Sequence, residues 1–277
     1  VPLAWLDRAK LRQLGRADWL EVLKLAAIGN LLYYLCLASA IQRAGGPLPT
    51  MIIGTLPVVI SLVANQRNAK RDGRLSWRRL APSLLLIVIG IYCVNRVELE
   101  VLRHSAHVDL MRYASGALFA LGAVVCWAWY ALRNADWLRG HSDHNARTWA
   151  TAQGVATLPL ALVGYALLWG GMAVGQSNFV MPFGPRPDFF IVLMLIIGLF
   201  ASWLGTLFWN EASQRLPTTI VGKLIIFETL AALAYAFLLR GKIPEPLTLL
   251  GIAFMIAGVV WALRVKPQPA PTTKRIG

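Results

Sequence analysis

One carboxylate in this sequence stands where a carboxylate is unfavourable. Glu228 lies inside the apolar run IVGKLIIFETLAALAYAFLL, about ten residues and so about 15 Å into it at 1.5 Å per residue. A charge at that depth costs several kcal/mol unless it is paired or protonated. Such a group can exchange a proton or bind a substrate ammonium; a protonated Glu that only packs against a neighbouring helix is the structural alternative. Lys223, five residues earlier, is rotated by about 140° on a helix and does not face Glu228. It is close enough to the run's end to snorkel, and Glu211, at the end of the preceding run, is the partner expected for a structural ion pair. Asn30, Tyr33, Tyr34 and Trp203 also fall mid-run. An Asn in lipid needs a partner and should face the interior. One of the two adjacent Tyr can line a cavity, and Trp203 can stack on a substrate or fill a helix interface. Asn210 ends a run and is a gate candidate. Gly54, Pro57 and Gly222 interrupt two runs, as gates, helix breaks or plain packing positions.

Other chemistries are excluded by what is missing. The chain has no G-x-x-x-x-G-K-[ST] loop for ATP. All seven Asp (7, 18, 72, 109, 136, 143, 188) fall in loops or at run ends, so no intramembrane aspartyl dyad or Asp-rich prenyltransferase motif is possible; the chain is not expected to be an enzyme. Cys36, Cys93 and Cys126 lie in apolar runs without C-x-x-C spacing and read as small buried hydrophobes. His104, His107 and Asp109 on one loop, and His141 and His144 on another, read as solvated polar residues. No metal and no cofactor is expected.

These residues need a membrane to position them. Of 277 residues, 57% are hydrophobic and 14% charged, against about 25% charged in an ordinary soluble domain. Eight stretches of single-span length stand at roughly 22–42, 49–66, 80–97, 112–132, 148–171, 189–210, 218–239 and 246–263. They show no ten-residue alternation, so they are helices and not barrel strands. The net charge of +14 comes in clusters between the runs, which marks orientation in a bilayer instead of a nucleic-acid footprint. Eighteen Lys and Arg lie in one alternating set of connecting segments and seven in the other. The first set is therefore expected to be cytoplasmic, with both visible termini inside. Residues 1–20 form a basic cytoplasmic segment in this reading, and the Pro-rich tail 264–277 is disordered.

The chain also repeats itself. LASAIQR (37–43) matches NEASQR (210–215) at an offset of 172, and PTMIIGTL (49–56) matches PTTIVGKL (217–224) at 168. Gly73/Gly241 and Gly90/Gly258 keep the second offset, so four residues are inserted between residues 44 and 72. Spans one to three thus repeat spans six to eight, with matched loops on opposite sides of the membrane. This inverted-topology repeat is an architecture of secondary transporters. The second copy, 112–263, holds two spans ahead of its matching three. The first, 21–103, is expected to have two more than are seen, and an opening Val in place of Met agrees with that.

The runs GNLLYYLCLASAIQRAGGPLPTMIIGTLPVV, CWAWYALRNADWLR, WATAQ, FGPRP, WNEASQRLPTTIVG and IFETLAALAYAFLLR resemble EamA-type members of the drug/metabolite transporter superfamily. The resemblance covers about residues 3–265. It implies an all-α membrane protein of ten helices in two inverted five-helix repeats, eight of them present here, in the bacterial inner membrane. It further implies export of small metabolites, such as amino acids, or drugs through a cavity between the halves. One departure is clear: many such repeats carry a Glu-Pro pair in the fourth helix of each half, whereas here the pairs read Glu228–Thr229 and Leu56–Pro57. The expected partners are a small-molecule substrate and the lipid bilayer, with no nucleic acid and a homodimer left open. A lipid-carrier flippase and a non-transporting membrane-assembly subunit are the rival readings.

Overall fold

In the computed structural model the described residues are 2–45, 47–67, 76–103, 110–141, 143–174, 182–240 and 245–265. The tail 266–277 and the loop holding His104, His107 and Asp109 lie outside them, as does the side chain of Glu228. The chain is all-helical. Helices α1 (Pro2–Leu6) and α2 (Arg8–Leu11) precede a long helix α3 (Arg16–Ala44). Then come α4 (Pro47–Ile53), α5 (Leu56–Arg67), α6 (Trp77–Arg103), α7 (Leu110–Gly140), α8 (Ala146–Val174), α9 (Pro187–Arg215), α10 (Thr218–Arg240) and α11 (Pro246–Arg264). Among the described residues, four helices are long and apolar enough to cross a membrane: α3, α7, α8 and α9. The first half of α9 shows why the solvent must be lipid. Residues 189–200 are exposed on every face, and all but Gly198 are Phe, Ile, Val, Leu or Met; an all-round apolar helix is stable only in an apolar medium.

Several spans differ from the sequence-based bounds. Helix α3 starts six residues before the expected 22, because Gly15 caps it, its N–H bonded to Asp18 Oδ2 at 2.9 Å. Helix α9 runs on to Arg215, where the i,i+4 pair Glu211–Arg215 closes its last turn. The span expected over 49–66 is two helices. Helix α4 stops at Ile53, Gly54 and Thr55 form a turn, and α5 starts at Leu56. Pro57 explains the break: it has no N–H to offer the Ile53 carbonyl, and it suits the first turn of a new helix. Thr55 seals the turn, its hydroxyl donating to the Ile52 carbonyl at 2.6 Å. Helix α10 runs unbroken through Gly222, so the matching glycine there is no helix break.

Both α3 and α9 contain a π-helical stretch, Ala26–Leu32 and Ile197–Leu204. Adding the repeat offset of 172 to the first stretch gives 198–204, so the widened turns fall at matched positions. A π stretch inserts a residue into the helical ladder and is frequent at functional sites.

The chain forms two compact units, Val1–Leu32 with Arg133–Arg215, and Tyr33–Leu132 with Leu216–Gly277. Each draws on both sides of the boundary between the two sequence copies. In the second unit α6 and α11 cross at two glycines. A Cβ on Gly90 would meet Met255 Cγ at 2.5 Å and the Gly251 carbonyl oxygen at 2.6 Å. One on Gly258 would meet Ile87 Cγ1 at 2.8 Å and the Ser83 carbonyl oxygen at 2.9 Å. Ser83, Ile87 and Gly90 shifted by 168 are Gly251, Met255 and Gly258. Each glycine thus packs on the counterparts of the residues that pack on the other, the reciprocity of a twofold contact. Ile87, Ile91, Ile226, Met255 and Val259 fill the core behind it. The α6–α11 contact keeps the 168 offset, and at that offset Glu228 aligns with Ile60 in the sequence.

Candidate functional site

In the first unit, helix α8 carries a ladder of polar side chains that gathers groups from three other helices and from the turn between α1 and α2. Asn30, in the π stretch of α3, donates through Nδ2 to Thr157 Oγ1 at 3.1 Å. Thr157 in turn donates to the Gln153 carbonyl at 2.7 Å. Trp203, in the π stretch of α9, donates its indole N–H to Thr151 Oγ1 at 3.2 Å. Thr151 lies 2.9 Å from Asp7 Oδ2, and that buried carboxylate also pairs with Arg147 at 3.2 Å. The two matched π stretches therefore hang from one helix, six residues apart.

Beside them lies a network whose direction is fixed by its donors. The indole of Trp149 can only donate, so the atom it meets at 2.8 Å on Asn134 is Oδ1. Gln153 Nε2 donates to the same oxygen at 3.0 Å. Asn134 Nδ2 then donates to Asn210 Oδ1 at 2.9 Å, which leaves Asn210 Nδ2 to donate to the Ala146 carbonyl at 3.4 Å. Asn134 and Asn210 are fully buried. A stack of Trp149, Trp137 and His141 covers this end of the α7–α8 hairpin, with ring centroids 3.3 and 4.5 Å apart. Glu21 of α3 receives both arms of the Arg133 guanidinium from α7. These polar side chains lie near the Arg-rich ends of α7, α8 and α9.

Of the residues expected from sequence, this unit brings together Asn30, Trp203 and Asn210. Tyr33 and Tyr34 belong to the second unit, where they meet each other edge-on at 5.0 Å and Tyr33 meets Trp127 at 5.1 Å. Trp127 stacks on Tyr130 at 5.1 Å, and Tyr130 is buried. Gly222 lies against Ile60, its missing Cβ 2.6 Å from Ile60 Cγ2, and Ser61 donates to the Thr219 carbonyl at 3.2 Å; these contacts lock α10 to α5. The ion pair expected between Lys223 and Glu211 is replaced. Glu211 bonds Arg215 at 2.6 Å one turn along its own helix, a partner that i,i+4 spacing places on the same helix face. Lys223 is wholly buried, and its Nζ has no hydrogen-bond partner among the described residues. Asp7, Glu21, Arg133, Asn134, Thr151 and Gln153 went unnoticed in the sequence. Asn134 and Gln153 carried a signal, since each is an amide within or just beyond an apolar run; the acids stood in a stretch that reads as a solvated basic segment.

Comparison with known proteins gives the setting. No family model matches the chain. It is 54% identical over 276 residues to the inner membrane protein YtfF of Escherichia coli strain K12, an alignment that spans the whole chain and 85% of that protein. The chain belongs to the YtfF family of inner membrane proteins. It is also 26% identical over 228 residues to the threonine/homoserine exporter RhtA of the same organism, covering 82% of the chain and 64% of RhtA. A protein crystal structure shares the fold, with a TM-score of 0.66 and 17% identity over 94% of this chain and 81% of that one.

Proposed function

We propose that this protein is a secondary exporter of small amphiphilic metabolites of the amino-acid class, working by alternating access between two inverted repeats. The observation that carries the reading is the pair of π stretches at matched repeat positions, both held by α8 through Asn30–Thr157 and Trp203–Thr151. Widened turns, with their weakened ladders, are where two helices of a duplicated bundle can change shape together. The reciprocal glycine contact of α6 and α11 and the similarity to a threonine/homoserine exporter support the same reading. The eight spans belong in it to a ten-helix fold, with the Arg-rich ends and both visible termini cytoplasmic, as the Lys/Arg bias favours. Glu228, in the middle of α10, is the proton or ammonium site, and the Gly54–Pro57 break lets α4 and α5 move separately. Asn210 and its network form the inner gate.

The test is reconstitution of the whole chain in vesicles and efflux of labelled threonine and homoserine down an imposed pH gradient. Efflux above that of protein-free vesicles, with its dependence on the gradient lost in Glu228→Gln, is the expected result. Efflux no faster than from empty vesicles would sink the transport reading. Efflux equally gradient-dependent in Glu228→Gln would remove Glu228 from it.

A further inference from the structure

Lys223, in the second unit, is a side chain whose position works against its charge twice over. It is 0% exposed, between Gly222 packed on Ile60 and the buried Ile226. Its Nζ meets no hydrogen-bond acceptor among the described residues, and Glu211, the acid nearest it in sequence on that side, is taken by Arg215. It is also the sixth residue of a 23-residue helix. Side chains on a helix lean toward its N-terminus, so the ammonium is carried toward the positive end of the α10 dipole, where a cation is disfavoured and an anion welcome. Burial without a counter-charge among the described residues and the dipole both oppose a resident cation, and a single anion reverses both. Methionine or leucine would fill the same volume without the penalty.

We infer that Lys223 is the docking cation for the carboxylate of the transported molecule, its charge being paired only while a substrate is bound. The inference rests on the proposed transport reading, since an enclosed Nζ is reached only when the helices around it part. The class of ligand is a monocarboxylate with a small polar body. Other anions that an ammonium at a helix start accepts, such as phosphate or chloride, are separated from it by the test.

The whole chain is purified in detergent, and its thermal midpoint is followed with threonine, homoserine, threoninamide, sodium phosphate and sodium chloride. Expected for the wild type is a rise of about 2–4 °C at saturating threonine or homoserine, with none for the amide. Lys223→Met should melt higher than wild type without ligand and lose the carboxylate-dependent rise; Lys223→Arg should keep part of it. If the Met variant does not fold, Lys223→Gln replaces it with the same loss expected. A rise that survives in Lys223→Met or Lys223→Gln, or a wild type that responds equally to the amide, or to phosphate and chloride, overturns the assignment. The two readings fail separately. Vesicles without efflux sink transport whatever the melts show, and efflux beside melts unmoved by Lys223 substitution sinks only the site.

Discussion

Asn30 and Thr157 tie α3 to α8 through one amide–hydroxyl bond of 3.1 Å, and that bond springs from the π stretch itself. A widened turn is thereby tied to the neighbouring helix by a side chain. Replacing Asn30 with Leu, or Thr157 with Val, removes the bond without emptying the interface. Each should lower stability by roughly 0.6–1.7 kcal/mol, the range seen for interhelical bonds in membranes, and the double variant should cost less than the sum. A double-mutant cycle on thermal midpoints checks this; strictly additive losses would mean the pair does not couple.

The Asn134 network is more exacting, because each atom has one possible partner direction. Asn134→Ala strands the Trp149 and Gln153 donors and the Asn210 acceptor together. Each buried orphan costs about 1–3 kcal/mol, so this single truncation should destabilise more than either Gln153→Ala or Asn210→Ala. Denaturation in detergent micelles ranks the three, and an Asn134 variant no weaker than the others would show that the network carries little.

Glycine-to-alanine changes should divide by what stands opposite. At Gly90 the new methyl meets the Gly251 carbonyl oxygen at 2.6 Å, a backbone atom that cannot step aside, and the loss should be about 1–3 kcal/mol. At Gly222 it meets the Ile60 side chain, so Ile60→Ala in the same chain should recover part of the loss. At Gly170 nothing lies within 4 Å, and alanine should be neutral or slightly stabilising, by up to about 1 kcal/mol. Melting curves of the three variants would contradict the packing if Gly90→Ala matched Gly170→Ala.

The Glu21–Arg133 pair should matter less than its geometry suggests. It is bidentate, but the Arg133 side chain is 47% exposed, so solvent and salt screen it. Glu21→Gln should cost about 1 kcal/mol at most, and less in high salt. Exchanging the two residues should restore the difference; a loss that ignores ionic strength would point to hydrogen bonding alone.

Pro57→Ala returns an N–H opposite the Ile53 carbonyl and favours one continuous helix across the Gly54–Thr55 turn. The variant should melt higher yet transport more slowly. Vesicle efflux measured beside thermal midpoints decides it, and unchanged efflux would mean the break is not used.

Much of the helical layout was legible in the chain because lipid demands long apolar runs; the 168 and 172 offsets rest on Gly, Pro and Thr keeping their spacing. The polar partner that Asn30 needs was also foreseeable from solvation alone, though not its identity. Thr157 lies 127 residues away, and threonine is ordinary on an apolar helix. The acids Asp7 and Glu21 were obscured by neighbouring arginines and lysines, whose clustering reads as a solvated surface. The break at Gly54–Thr55 was visible as a possibility on both copies, but a glycine says only that a turn or a close approach is allowed. Ile60 decides for approach at Gly222, and Pro57 decides for a turn at Gly54. Glu211 pairs with Arg215 and not Lys223, because an arginine four residues along the same helix is in reach without any approach of a second helix.

At the 168-residue offset Gly54 and Gly222 are matched, yet the first marks a joint between two helices and the second lies inside one rigid helix. Helix α10 is clamped to α5 at Gly222, while α4 turns at Gly54–Thr55 within a single peptide's length of that clamp's own segment. In the proposed alternating-access reading the two matched segments would therefore move unequally, one bending at Gly54–Thr55 and the other travelling as a rigid rod.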